Sequence, residues 1–233
     1  MNCSNIFQNQ IKKPSNPTSI AELISRADSL AGQSLENLAK QYKQQIPPNL
    51  LHSKGWIGQF IEYILGATAG NQAAVDFPNL GIELKTIPLD TSYQPIESTY
   101  VCTSPLKITT VNWLESWVYK KLKHVLWVPI VVEKNQPIGL RKIATPFLWQ
   151  ANEQQLQVLQ QDWEELMEFV QLGEIESLSA KYGKYLHIRP KAANSQILTC
   201  ITNTQGEQIY TVPKGFYLRS KFTAELLKQE FIY

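Results

Sequence analysis

Asp76, Glu83 and Lys85 are the side chains of this chain whose types and spacing suit hydrolysis of a phosphodiester. That reaction needs a hard divalent cation held by oxygen ligands, a water made nucleophilic, and positive charge where the phosphate accumulates negative charge. Gly81 to Ile87 reads as a strand, so Glu83 and Lys85 place a carboxylate and an ammonium on one face while Ile82 and Leu84 take the other. Asp76 precedes them at a distance that lets a turn or strand return its carboxylate to Glu83. Those two carboxylates and the backbone carbonyl of Leu84 would make a Mg²⁺ site with open positions for water and a phosphate oxygen. Taken alone, the same residues also read as a same-face salt bridge, which is worth little on a surface.

The elements around them follow from hydrophobic spacing. Trp56, Ile57, Phe60, Ile61, Ile64 and Leu65 form the apolar stripe of a helix from Trp56 to Gly66, which puts Glu62 on the other side with Gly58 one turn before it. An ordinary solvated glutamate is the plain reading of Glu62. Upstream, Ser19 and Glu22 suggest a capping box for a helix running to Gly32, and a short helix follows Ser34. Further strands are expected at Tyr100 to Thr103, Val125 to Glu133, Tyr185 to Arg189 and Ile209 to Val212, with Val125 to Val132 buried on both sides. Val111 to His124 reads as a helix leading into that buried strand. Asn152 caps a long helix ending at Gly173, whose acidic outer face reads as solvated, and Thr223 begins a last helix. Helices and strands alternate without a repeat, so the fold class is mixed α/β or α+β.

The 233 residues, 43% hydrophobic and 18% charged, suffice for one large domain or two small ones sharing a cleft. The longest apolar run, Val125 to Val132, contains Pro129 and is far shorter than the roughly 20 residues that span a bilayer, so no membrane role is expected. Residues 1–17 are polar, lack a secretory apolar core and read as a flexible leader to a domain at 18–233; a cytoplasmic protein is expected. Cys3, Cys102 and Cys200 lack zinc-ligand spacing and read as reduced thiols. The net charge of +2 hides an uneven distribution: Ala151 to Glu176 holds seven acidic residues and no Lys or Arg, while Lys181 to Lys228 holds eight basic residues against Glu207 and Glu225. The second stretch is suited to phosphates.

A longer pattern surrounds the candidate triad. It comprises Lys54-Gly55-Trp56-Ile57-Gly58 continuing to Glu62, Leu65-Gly66-Ala67-Thr68-Ala69-Gly70, Asp76-Phe77, and Leu80 through Pro88. Downstream it includes Lys121-Leu122-Lys123 with Val125-Leu126-Trp127, Asp162 through Met167, Ile188 through Asn194, and Gly215-Phe216-Tyr217-Leu218. From about Ser19 to Phe231, in this order, the sequence closely resembles the MutH family of mismatch-repair endonucleases.

The resemblance implies a PD-(D/E)-x-K, restriction endonuclease-like fold: a mixed central sheet flanked by helices, opening as two lobes around a DNA cleft. It implies that Asp76, Glu83 and Lys85 form the catalytic core, with Glu62 and Lys121 assisting. Glu62 then becomes a second carboxylate near the metals or the attacking water, a reading that outranks the solvated one and makes it a further metal-ligand candidate; Lys85 orients or helps deprotonate that water, and Lys121 stabilises charge on the scissile phosphate. Lys54, Arg189, Pro190, Lys191 and Ala192 are implied as DNA contacts, and Tyr217 as the residue near the adenine amino group, where a methyl would be sensed. Arg and Lys suit guanine acceptors in the major groove. The implied activity is Mg²⁺-dependent nicking of the unmethylated strand 5′ of the guanine in hemimethylated GATC, by a monomer activated by MutL, which MutS recruits. A GATC restriction enzyme cutting both strands and a catalytically silent DNA-binding module are the alternatives. Val75 stands where the motif has proline, and Trp117 and Lys120 stand where well-known members carry histidines.

Overall fold

Apolar spacing in the first third of the chain produces three helices before any strand: α1 (Ile20–Asp28), α2 (Leu35–Gln41) and α3 (Trp56–Leu65). The structure is a computed structural model and describes residues 13–50, 53, 55–70, 72–105, 112–178, 181–191, 198–202 and 205–231; Lys54 and Ala192 lie outside them. Ser19 Oγ accepts from Glu22 N (3.2 Å), but the Glu22 carboxylate turns to Thr18 N (2.7 Å) and Arg26, so the expected capping box is only half made. Ser34 caps α2 through Asn37 N, and α3 ends at Gly66 in the left-handed region, where glycine carries no Cβ penalty.

The chain divides into two compact units, Met1–Ile96 with Val125–Trp149, and Glu97–His124 with Gln150–Tyr233. In the first, β1 (Glu83–Leu89) pairs in parallel with β3 (His124–Val131), so that Glu83 lies beside Val125 and Lys85 beside Trp127. Beyond β2 (Thr99–Thr103) and α4 (Trp117–Leu122), which belong to the second unit, β4 (Lys142–Ile143) and β5 (Phe147–Gln150) both pair with β3. Of the run Val125 to Val132 expected to be buried, Val125 through Ile130 is buried throughout and Val131 and Val132 are half-buried. Leu23, Phe60, Ile61, Leu65, Phe77, Ile82, Leu84, Leu126 and Val128 form one core between the helices and the sheet. Each such side chain contributes about 1.5–3 kcal/mol by leaving water, and this packing fixes which face of β1 is left for Glu83 and Lys85.

In the second unit, β2, β6 (Leu186–Pro190) and β9 (Lys214–Leu218) form an antiparallel sheet in the order β2-β9-β6. A separate hairpin joins β7 (Thr199–Thr202) and β8 (Gln208–Thr211). The long helix α5 (Glu153–Gln171) carries a complete capping box, Asn152 with Gln155, and packs against α4 and β6. The chain closes with α6 (Ser220–Glu230), three residues earlier than Thr223. The single helix expected over Val111 to His124 is instead a 3-10 turn at Trp113–Glu115 followed by α4, because Ser116 adopts extended backbone and caps α4 through Tyr119 N. No helix among the described residues is long and apolar enough to cross a membrane.

Candidate active site

The turn Pro78–Gly81 brings Asp76 back to β1. Phe77 and Ile82 exchange backbone hydrogen bonds (2.9 and 3.3 Å), and Asp76 Oδ2 then accepts from Leu84 N at 2.8 Å. Glu83 and Lys85 share the opposite face from Leu84, and Lys85 Nζ donates to Glu83 Oε1 at 3.0 Å. Asp76, Glu83 and Lys85 are 8%, 3% and 8% exposed, so this is a buried charged set and differs from a surface salt bridge. Two carboxylates to one ammonium leave this trio one negative charge in excess. Oxygen donors with that imbalance suit a hard divalent cation. No group of three or more His, Cys, Asp or Glu side chains among the described residues is arranged to hold a metal, so Glu62 does not join Asp76 and Glu83 in a three-acid cluster.

Glu62 is half-buried on α3, and a Cβ built on Gly58 would lie 3.9 Å from its Oε1, an ordinary contact, so the room expected from a missing side chain at Gly58 is not what this carboxylate depends on. The loop after α3 links Glu62 to Asp76 through the backbone: Ala67 N donates to the Glu62 carbonyl (2.9 Å) and Thr68 N to the Asp76 carbonyl (3.1 Å). Lys121 lies half-buried on α4, in the second unit. Its neighbour Lys120 places its ammonium 5.1 Å from the Trp117 ring centroid, a cation–π pair.

Arg189, Pro190 and Lys191 lie exposed at the end of β6 and just beyond it. The Arg189 guanidinium sits 5.8 Å from the Tyr217 ring centroid, and Tyr217 meets Tyr100 edge-on at 5.3 Å because β9 and β2 place them opposite each other. Lys191 Nζ lies 4.7 Å from the Tyr100 ring centroid and donates to Thr103 Oγ1 (3.0 Å). Gly215 leaves the room this needs: a Cβ there would lie 2.8 Å from Tyr100 Cε2 and 3.0 Å from the Cys102 carbonyl. Burial, with Tyr100 adding to it, raises the Tyr217 pKa despite the opposing pull of Arg189, so its phenol keeps its proton. On the other side of Tyr217, His187 is 8% exposed and its Nε2 has no partner among the described residues. Burial, then the charges of Arg219 and Arg189, lower its pKa to about 4, which keeps the ring neutral at pH 7.

Sequence reasoning named Arg189, Lys191 and Tyr217 but missed Tyr100, Thr103, Gly215 and His187, which only the register β2-β9-β6 assembles. The acidic outer face of α5 is exposed, as expected, at Glu153, Glu164, Glu165 and Glu168. Asp162 is the exception: it is 5% exposed and accepts from Lys184 N, Tyr185 N and Leu186 N at 2.7, 2.6 and 2.8 Å, while Glu165 accepts from Gly183 N (3.0 Å). These carboxylates anchor the turn that starts β6.

The fold is mixed α+β, and its first unit holds a buried acid–acid–lysine trio. The family profile described as the DNA mismatch repair enzyme MutH matches residues 65–162. A DNA mismatch repair protein MutH from Shewanella baltica strain OS155 is 49% identical over 216 residues, covering 92% of this chain and 97% of the relative. Those of Shewanella sp. strain MR-7 and Shewanella oneidensis are 48% and 47% identical over the same 92% and 97%. The chain belongs to the MutH family of DNA mismatch repair proteins.

Proposed function

We propose that this chain is a Mg²⁺-dependent endodeoxyribonuclease of methyl-directed mismatch repair, nicking the unmethylated strand of hemimethylated GATC on the 5′ side of the guanine. The observation that carries the reading is the buried trio, with Asp76 held by Leu84 N at 2.8 Å and Lys85 Nζ 3.0 Å from Glu83 Oε1. Burying such charges is costly without a compensating ion or reaction to serve. Asp76, Glu83 and the Leu84 carbonyl would hold Mg²⁺, and Glu62, outside that pair, would assist at the attacking water. The cation supplies Lewis acidity toward a phosphate oxygen and the attacking water. Lys85 Nζ, kept in place by Glu83, orients that water.

For recognition, Arg189 and Lys191 address guanine acceptors and backbone phosphates, since both carry fixed positive charge on an exposed edge. The protonated Tyr217 hydroxyl serves the adenine amino group, where an added methyl removes a hydrogen bond and crowds the ring. One trio in a monomer cuts one strand. MutL, recruited by MutS at a mismatch, would be its activator, a reading that membership of a mismatch-repair family supports.

Cleavage of paired oligonucleotides differing only in adenine methylation, with and without Mg²⁺ and with added MutL, tests this reading. The expected result is a Mg²⁺-dependent nick confined to the unmethylated strand. Asp76→Ala should abolish it while leaving most of the DNA affinity. Linear product from a single-GATC plasmid would instead favour a restriction enzyme, and no cleavage at all would favour a binding module.

A further inference from the structure

The segment Lys13–Pro17, expected as part of a flexible leader, is tied into the candidate site's two supporting loops. On one side it meets the end of α3: Arg26 Nη1 donates to the Ser15 carbonyl (2.6 Å) and to the Leu65 carbonyl (3.3 Å), and Arg26 Nη2 reaches Ser15 Oγ (3.4 Å). Lys13 Nζ donates to the Ala67 carbonyl. Two cations therefore sit on carbonyls at the C-terminal end of the helix that carries Glu62, the end where the helix dipole favours positive charge. Gly66 makes this approach feasible: at φ +81° its missing Cβ would lie 2.4 Å from the Ser15 carbonyl oxygen and 3.1 Å from Arg26 Nη1.

On the other side the segment meets the turn between Asp76 and Glu83. Asn79 Nδ2 donates to the Pro17 carbonyl at 2.8 Å, and Pro17 is buried. The same few residues thus hold the loop 66–68, whose amides bond the carbonyls of Glu62 and Asp76, and the turn that returns Asp76 to Leu84.

We propose that Lys13–Pro17 is a strap that positions Asp76 of the metal site and the assisting Glu62, with Arg26 and Asn79 as its fasteners. These are positioning residues: Arg26, braced by the Glu22 carboxylate, holds the Ser15 and Leu65 carbonyls, Asn79 holds the Pro17 carbonyl, and together they set the geometry of Asp76 and Glu62 from behind. The inference rests on the reading of Asp76 and Glu83 as the metal-binding pair. Outer partners of metal ligands are worth about 10- to 100-fold in metal affinity or activity when removed, and loosening the strap is expected to act at the lower end of that range.

The test uses the full chain with Asn79→Asp, which keeps shape but removes the donor, and with Arg26→Ala, alongside Arg26→Lys as the conservative rescue. Mn²⁺ binding is read by electron paramagnetic resonance without DNA, GATC-duplex affinity by fluorescence anisotropy without metal, and the nicking rate against Mg²⁺ concentration. Expected are Mn²⁺ binding weakened about tenfold and a matching rise in the Mg²⁺ needed for half-maximal nicking, duplex affinity unchanged, and partial recovery in Arg26→Lys. Should Arg26→Ala fail to fold, Asn79→Asp carries the test, because Asn79 is exposed and its turn keeps its backbone bonds. Unchanged Mn²⁺ affinity and Mg²⁺ dependence in folded Asn79→Asp would overturn the strap while Asp76→Ala, inactive, upholds the catalytic reading. Full activity and metal binding in Asp76→Ala would remove that reading and the strap with it.

Discussion

Single atoms decide what the recognition surface can hold. Gly215 stands where β9 crosses beneath Tyr100, and a side chain there must displace the ring or the Cys102 carbonyl. Gly215→Ala is therefore expected to swing Tyr100 away from Lys191 and Tyr217, costing about 1–3 kcal/mol of stability from overpacking. GATC-duplex affinity should fall about tenfold by anisotropy, as about 1.4 kcal/mol of binding energy is lost. Mn²⁺ binding at the proposed Asp76–Glu83 site should stay unchanged, since the substitution lies in the other unit. The same scale explains why Glu-x-Lys alone said little and the three-dimensional trio says much. A Glu83–Lys85 pair in water is replaceable, whereas one at 3% and 8% exposure with Asp76 bonded to the intervening Leu84 N is costly to bury, and that cost is what supports the proposed site.

Elements place these atoms through junctions that the hydrophobic pattern does not display. The α5–β6 junction is the clearest. Asp162 takes three backbone amides, and Gly183 (φ +74°) lets the chain double back so closely that a Cβ would lie 1.9 Å from the Leu186 carbonyl. Asp162→Asn turns an amide group toward one or more of those donors and should lower stability by about 3 kcal/mol, read as a shift in the urea midpoint. Because β6 carries Arg189, duplex affinity should fall with it, while the β1 trio is untouched. β9 was invisible beforehand: Lys214-Gly215-Phe216-Tyr217-Leu218 lacks clean alternation, and its Lys214 is buried only because Glu176 meets it at 2.8 Å. Burial opposes ionisation of Glu176, but bonds from Lys214 and Thr211 outweigh it and lower the pKa.

The whole molecule should respond to acid through its buried imidazole. His187 titrates near pH 4 when folded and near 6.5 when unfolded, so the unfolded chain binds the extra proton between those values. Its contribution is fully present above pH 6.5 and is lost as pH falls toward 4, at a slope of up to about 1.4 kcal/mol per pH unit. His124, lowered first by burial and then by Lys123, acts in the same direction. Unfolding free energy measured at pH 7 and pH 5 should therefore drop in acid, and His187→Phe should reduce the drop. An equal pH dependence in that variant would show that His187 is not its source.

The amino-acid sequence determined whatever depends on neighbours along the chain. The stripe of α3, the buried run of β3, the Asn152 cap and the shared face of Glu83 and Lys85 are all set by periods of 3.6 and 2. Family membership was likewise legible, because colinear motifs persist at a distance that single residues do not. Tertiary structure alone decided which residues meet across long separations: Asp162 with β6, Tyr100 with Tyr217, and Lys13–Pro17 with the loops behind Asp76. Strand register and the hydrogen-bonding needs of buried polar groups make those choices, and neither leaves a local periodic trace.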